Sequence, residues 1–147
     1  MSKSHAIVAI AAAALGAGAM HLWTQSDLSA RAQTPSAATG AAQSELFKTT
    51  MEDVLGRVVT IRTTTRAPGN SSGPHRHPGS HTFGYVLEGT YEVKIDDGPL
   101  QRLGPGGVFY EKPNALHAIS RNGSQTSPVK YLIVSISDPT KPQTVSE

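Results

Sequence analysis

Hydrophobic and polar residues alternate along much of the chain in short stretches, the pattern that half-buried β-strands produce. Residues 90–95 alternate strictly, with an apolar side chain at every second position, and residues 58–65 are rich in β-branched side chains. Residues 129–137 form the most apolar of these stretches. Glycine and proline turns separate them, and short strands between such turns predict an all-β sandwich or barrel.

The N-terminus has a different hydrophobic pattern, because residues 6–20 carry no polar or charged side chain. A polar start with Lys3 precedes them and an Ala-x-Ala site at residues 30–32 follows, which resembles a secretory signal peptide cut before Gln33. Fifteen helical residues span about 22 Å, short of the ~30 Å hydrocarbon core, so cleavage is favoured over an uncleaved anchor. We therefore expect a disordered or helical leader over residues 1–32, a periplasmic or secreted mature protein, and no membrane attachment after cleavage.

Small polar residues flank the β-rich stretch on both sides. Residues 33–44 are low in complexity and predict a flexible linker, and residues 139–147, with two prolines, predict a flexible tail. Residues 45–138 between them are long enough for one domain with a modest core. Only residues 44–55, at the boundary between linker and domain, indicate a short helix.

Composition limits the chemistry that such a domain could carry. The chain has six histidines and no cysteine, which excludes disulfides, cysteine-based zinc sites, iron–sulfur clusters and thiol nucleophiles. Thirteen basic and eleven acidic residues give a net charge of +2, so no basic patch argues for a nucleic-acid partner. The sequence also has no glycine-rich phosphate loop and no serine nucleophile elbow. Histidine remains as the main residue for chemistry.

Four histidines follow the predicted leader, and their spacing suggests a metal site. His75 and His77 are two residues apart, so on an extended strand both rings point to one face. His81 follows across a Pro-Gly-Ser segment, and His117 could arrive from a neighbouring strand. A lone histidine is usually a surface or hydrogen-bonded core residue, but four converging imidazoles suit a divalent transition metal.

Two motifs around these histidines resemble those of the cupin superfamily, over roughly residues 54–138. In the first, G-x5-H-x-H-x3,4-E-x6-G, the glycine and histidine positions are filled by Gly69, His75, His77 and Gly89. The second, G-x5-P-x-G-x2-H-x3-N, is similar to the stretch with Gly107, Pro113, His117 and Asn122. The resemblance implies a small single-domain cupin, a double-stranded β-helix or jelly-roll barrel. It also implies one metal near the barrel axis, with His75, His77 and His117 as ligands, and a homodimer.

The sequence departs from these motifs at the position of the glutamate. His81 or Thr82 stands there, depending on the spacer, and His81 is the better ligand, which predicts a site of four histidines. In the second motif the proline-to-histidine spacing is one residue short, the asparagine is one residue late, and Asn114 stands near the missing glycine. Imidazole ligands suit iron, copper, nickel or zinc, whereas carboxylates favour manganese, so we expect one divalent transition metal, iron first.

The function that follows is an exported, metal-binding cupin whose site takes an oxygen-rich small molecule. As an enzyme it would be a metal-dependent dioxygenase or related oxidoreductase, and the alternative is a non-catalytic metal- or ligand-binding or sensing module. No catalytic residue is identified. Tyr85, Glu88 and Glu111 lie near the motifs and are candidates for proton relays or for partners of the ligand N–H groups. Their more common role is that of polar residues at strand ends.

Overall fold

The computed structural model of the chain describes residues 41–147, in which every regular element is a β-strand. The strands are β1 (Ala41–Thr50), β2 (Val58–Arg66), β3 (Ser71–Ser72), β4 (His75–Arg76), β5 (Ser80–Glu88), β6 (Tyr91–Ile95), β7 (Gln101–Leu103), β8 (Val108–Glu111), β9 (Leu116–Asn122), β10 (Val129–Ser137) and β11 (Val145–Ser146). The predicted all-β class is confirmed for these residues. They contain no helix long and apolar enough to cross a membrane.

The strands form two antiparallel sheets. One sheet has the order β1-β2-β10-β5-β8, and the other has the order β11-β4-β9-β6-β7, with β3 also paired to β9. Strands distant in sequence are neighbours in space, since β10 lies between β2 and β5. The chain crosses between the two sheets several times. In each strand, side chains at every second position face the space between the sheets.

An apolar core fills part of this space. It consists of the buried residues Val86, Tyr91, Val93, Phe109, Val129, Tyr131 and Ile133. Phe109 packs directly over the backbone of Gly84, where an added Cβ would overlap the phenyl ring. The remaining interior is polar and open: a cavity of about 490 Å³ is bordered by hydroxyl, arginine and histidine side chains. The core thus supports one part of the interior and leaves the other part for a ligand.

The ends of the domain differ from the sequence-based predictions. The short helix expected over residues 44–55 is wrong, because residues 41–50 form β1 and pair with β2 over their whole length. Ladder hydrogen bonds to a neighbouring strand outweigh a weak local preference. Residues 41–44 of the expected linker thus belong to a strand, while residues 33–40 and the predicted leader, 1–32, lie outside the described residues.

The expected flexible tail is ordered by backbone pairing. β11 pairs with β4, and the amide of Glu147 donates a hydrogen bond to the carbonyl of Pro74 at 3.1 Å. The side chain of Glu147 also forms an ion pair with Arg76 at 2.5 Å. The tail therefore lies along the strand that carries the first histidine motif, and it borders the cavity.

Candidate metal centre

Three histidines meet at the polar end of the cavity because two strands pair in register. His75 on β4 lies directly opposite His117 on β9, and their ring centroids are 4.9 Å apart. His77 follows two positions after His75, with ring centroids 5.0 Å apart. One ring nitrogen from each histidine lies within 4.8 Å of the other two, so this group could hold a metal ion. The structure thus brings together the three ligands that the resemblance implies.

Backbone carbonyls orient two of these rings. The Nδ1 atom of His75 donates to the carbonyl of Gly73 at 2.7 Å, and that of His77 donates to the carbonyl of Gln143 in the tail, also at 2.7 Å. A carbonyl only accepts, so the proton is on Nδ1 and the lone pair of Nε2 is free for a metal. Burial lowers the pKa of His75 despite the bond to Gly73, and it thereby favours the neutral, ligating form.

A carboxylate joins the three imidazoles from the other sheet. Glu111, at the end of β8, is 2% exposed. Its Oε1 lies 3.2 Å from Nδ1 of His117, and its Oε2 lies 3.8 Å from Nε2 of His77. Burial raises the pKa of Glu111, but the contact with His117 and the nearby rings of His77 and His75 lower it, and the net pKa is below the ordinary value. Glu111 is therefore ionised at neutral pH.

Two buried polar atoms of this group have no hydrogen-bond partner in the described part of the chain, Oε2 of Glu111 and Nδ1 of His117. The 3.2 Å contact between the two residues lacks hydrogen-bond alignment, so it does not satisfy the His117 nitrogen. Buried polar atoms almost always have partners. The three imidazoles can hold a metal ion, and Glu111 places a carboxylate beside two of them, a combination of donors that suits a divalent transition metal.

His81 does not reach this group. Ser80 and Thr82 on β5 are buried in the interior, so His81 between them points to the outer face of the sheet. There its Nδ1 lies 2.7 Å from the hydroxyl of Tyr110, and the two rings stack. Thr82 takes the inward position, and it pairs across the sheet with Glu111. Glu111 on the neighbouring strand is thus the carboxylate nearest the three imidazoles, and the described residues do not bring four histidines together.

The three other candidate residues from the sequence also lie partly inside and partly outside the barrel. Glu111 lies among the histidines, whereas Tyr85 is on the outer face of β5, 45% exposed, and Glu88 is exposed at the end of that strand. Sequence reasoning missed Tyr91, whose buried hydroxyl lies 2.7 Å from Ser120 Oγ and 3.4 Å from Nε2 of His117. The strict alternation of β6 places Tyr91 on the inner face and was a usable signal.

Sequence reasoning also missed two arginines on the inner face of β2. Thr60, Arg62, Thr64 and Arg66 occupy alternate positions of this strand, and all four border the cavity. Arg66 is buried and donates to Tyr131, Asn70, Ser72 and Ser120 at 2.6–3.2 Å. Arg62 has a single long hydrogen bond, to Ser135 Oγ at 3.4 Å. The sequence carried little signal for this, because residues 63–65 of the strand are three consecutive threonines and do not mark an inner face.

Comparison with known families settles what this architecture is. Residues 62–135 match the family described as "Cupin domain". The chain belongs to the cupin domain family. No curated protein matches it significantly.

Solved structures place this cupin among double-stranded β-helix proteins. An uncharacterised conserved protein with such a domain from Klebsiella pneumoniae is similar at 19% identity and a TM-score of 0.56, over 78% of this chain and 90% of the other. A recombinant oxalate oxidase in complex with glycolate is similar at 24% identity and a TM-score of 0.56, over 79% and 59%. The DMSP lyase DddQ from Ruegeria pomeroyi is similar at 20% identity and a TM-score of 0.51, over 60% of this chain and 42% of the lyase. These likenesses confirm the predicted fold.

Proposed function

We propose that this cupin binds one divalent transition metal through His75, His77, His117 and Glu111, and that the metal binds a small oxygen-rich molecule from the adjoining cavity. The observation that carries the proposal is the buried carboxylate of Glu111, ionised, with one unpartnered oxygen, beside three imidazoles. A group of this kind is costly to bury without a cation.

The carboxylate changes the expected metal. A site of four histidines argued against manganese, whereas three imidazoles and one carboxylate suit iron and readmit manganese, with copper, nickel and zinc as further candidates. We propose iron first. A metal in this position supplies Lewis-acid polarisation of substrate oxygens and, if it is redox-active, electron transfer to oxygen.

The surrounding residues support such a centre because they orient the imidazole rings and keep one donor, the carboxylate, ionised. Gly73 and Gln143 hold the rings of His75 and His77 with Nε2 toward the group. Burial raises the pKa of Tyr91 well above its ordinary value, so its phenol stays neutral and does not act as a base at neutral pH. The ionised carboxylate of Glu111 offsets part of the charge of a divalent cation.

For the reaction, we propose a dioxygenase or related oxidoreductase, a class in which a redox-active metal supplies the chemistry and no separate general base is required. The alternative is a non-catalytic metal- or ligand-binding module, which is equally compatible with the lack of a separate general base beside the histidines in the described residues. An oxalate oxidase and a DMSP lyase share this fold, so the fold itself does not select a reaction.

Metal content and oxygen uptake test the proposal. We expect about one equivalent of metal per chain in the purified protein and in His81→Ala, the matched control on the outer face, and far less in His75→Ala/His77→Ala. An oxygen electrode with diketones, catechols, flavonols and thiols then separates an enzyme from a binding module. Metal content that is low and the same in all three proteins would contradict both functions.

Two further expectations from the sequence stay proposals. We propose that the chain is exported and cut before Gln33, in which case the mature protein lacks Trp23, its only tryptophan, and has no tryptophan fluorescence. We also propose a homodimer, which light scattering would measure as twice the chain mass. Exposed apolar side chains on the outer face of the β1-containing sheet include Phe83, Val108 and Tyr110.

A further inference from the structure

Arg62 is directed into the cavity by the alternation of β2. Its neighbours on the same face, Thr60 and Thr64, are buried, and all three border the same 490 Å³ space as the three histidines and Glu111. Burial lowers the pKa of Arg62, and the carboxylate of Glu111 opposes this by attracting the guanidinium electrostatically, although the two groups do not form an ion pair. Arg62 thus shares the cavity with the proposed metal group without belonging to it.

The guanidinium of Arg62 is poorly satisfied by the protein. Among the described residues, its buried Nε atom has no hydrogen-bond partner, and its one hydrogen bond, from Nη1 to Ser135 Oγ, is 3.4 Å long. No carboxylate of the described residues lies within the 4.0 Å of an ion pair with it. Glu45, its partner in the β1–β2 register, is exposed and acts only at longer range.

Arg66 on the same strand shows what a structural arginine of this interior is like. Each of its three nitrogens donates to a neutral oxygen of the protein, and its side chain is 6% exposed. Arg62 is four residues away on the same face and borders the cavity, and its one hydrogen bond to a described residue is long. Burial disfavours the charged form of Arg62 and lowers its pKa. Its one long hydrogen bond compensates little of the hydration that the guanidinium loses.

We propose that Arg62 binds a carboxylate of the small molecule whose other end is held at the metal group. The proposal rests on the proposed function and narrows it to anionic substrates, because a divalent cation with Glu111 and Arg62 leaves the cavity positively charged. A guanidinium matches the two oxygens of a carboxylate in a planar fork. A carboxylate carries a single charge, which the guanidinium of Arg62 alone can pair, and the nitrogens of Arg66 are already used.

Isothermal titration of zinc-loaded protein with two pairs of 2-hydroxy acids tests this assignment. Malate and 2-hydroxybutanoate share the metal-binding end and differ in the distal carboxylate, and 2-hydroxyglutarate and 2-hydroxypentanoate repeat the comparison with one more methylene. We expect at least one diacid to bind about tenfold more tightly than its monoacid. That preference should disappear in Arg62→Gln, with the monoacid affinity unchanged, and persist in part in Arg62→Lys.

The control variant is Arg102→Gln, which removes an arginine whose side chain is 61% exposed on the surface and should keep the full preference. Equal binding of diacids and monoacids by the wild-type protein, or a preference that survives Arg62→Gln, would overturn the proposal. Should zinc fail to bind, the same titrations on metal-free protein still test Arg62. In that case, the role of Arg62 is supported if malate binding is lost in Arg62→Gln and retained in His75→Ala/His77→Ala. The metal proposal would then fail separately.

Discussion

Two arginines on one face of β2 should respond to the same substitution in opposite ways. In Arg66→Met, four hydrogen bonds from a buried cation are lost, and Asn70 Oδ1 loses the donor that the structure provides. Breaking a buried charged network costs about 3–5 kcal/mol in the free energy of unfolding. In Arg62→Met, one hydrogen bond of 3.4 Å is lost together with a half-buried charge that forms no ion pair with the described residues. We expect that change to be neutral or stabilising by about 1 kcal/mol.

Urea unfolding of the two variants beside the wild type measures this difference. With an m-value of about 1.5 kcal/mol/M, the midpoint of Arg66→Met should fall by about 2 M or more, while that of Arg62→Met should stay level or rise. Both variants remove the same atoms from the same strand, so each is the control for the other. Equal losses of stability in the two variants would refute the distinction between a structural and a ligand-binding arginine.

Three further predictions concern the tail, the histidines and the core. Deleting residues 139–147 removes the carbonyl that orients His77, so metal affinity measured by titration should fall about 10–100-fold, and an unchanged affinity would show that the tail is not needed. In metal-free protein burial lowers the pKa of His75 below 6.5, so the unfolded state takes up the proton first and stability falls as the pH drops below that value. His75→Gln should reduce this fall in urea unfolding between about pH 7.5 and 5.5, and an equal slope would contradict it. Gly84→Ala places a methyl group against the ring of Phe109 and should cost about 1–3 kcal/mol by urea unfolding, whereas a neutral result would contradict the packing.

The strands and the histidine triad were predictable because they leave regular patterns. Strict alternation identified β6, and the β-branched and apolar stretches identified β2 and β10. The spacing between His75 and His77 places both on one face of any extended segment, and the second motif supplied His117. These features depend on local periodicity, which the sequence shows directly.

The fourth donor could not be predicted because alternation does not say which face is inside. On β5 the more apolar set of alternate residues, Phe83, Tyr85 and Leu87, lies on the outer face with His81. The inner set, with Thr82 and Gly84, has little hydrophobic signal. Three apolar residues in a row before Glu111 hide its orientation in the same way. Only the cross-strand pairing of Thr82 with Glu111 shows where the carboxylate comes from.

The two ends of the domain were misread for a different reason. β1 and β11 are held by backbone hydrogen bonds to the edges of the sheets, and such pairing needs no particular side chains. A composition of small polar residues and prolines therefore indicated flexibility where pairing provides order. The consequence is functional, since the tail supplies the carbonyl next to His77.

An X-ray absorption spectrum of the metal-loaded protein distinguishes imidazole from carboxylate donors around the ion. We expect three imidazoles and one protein carboxylate, a spectrum that changes in Glu111→Gln, and one that stays the same in His81→Ala. Four imidazoles around the metal, or a spectrum altered by His81→Ala and not by Glu111→Gln, would contradict the proposed set of donors.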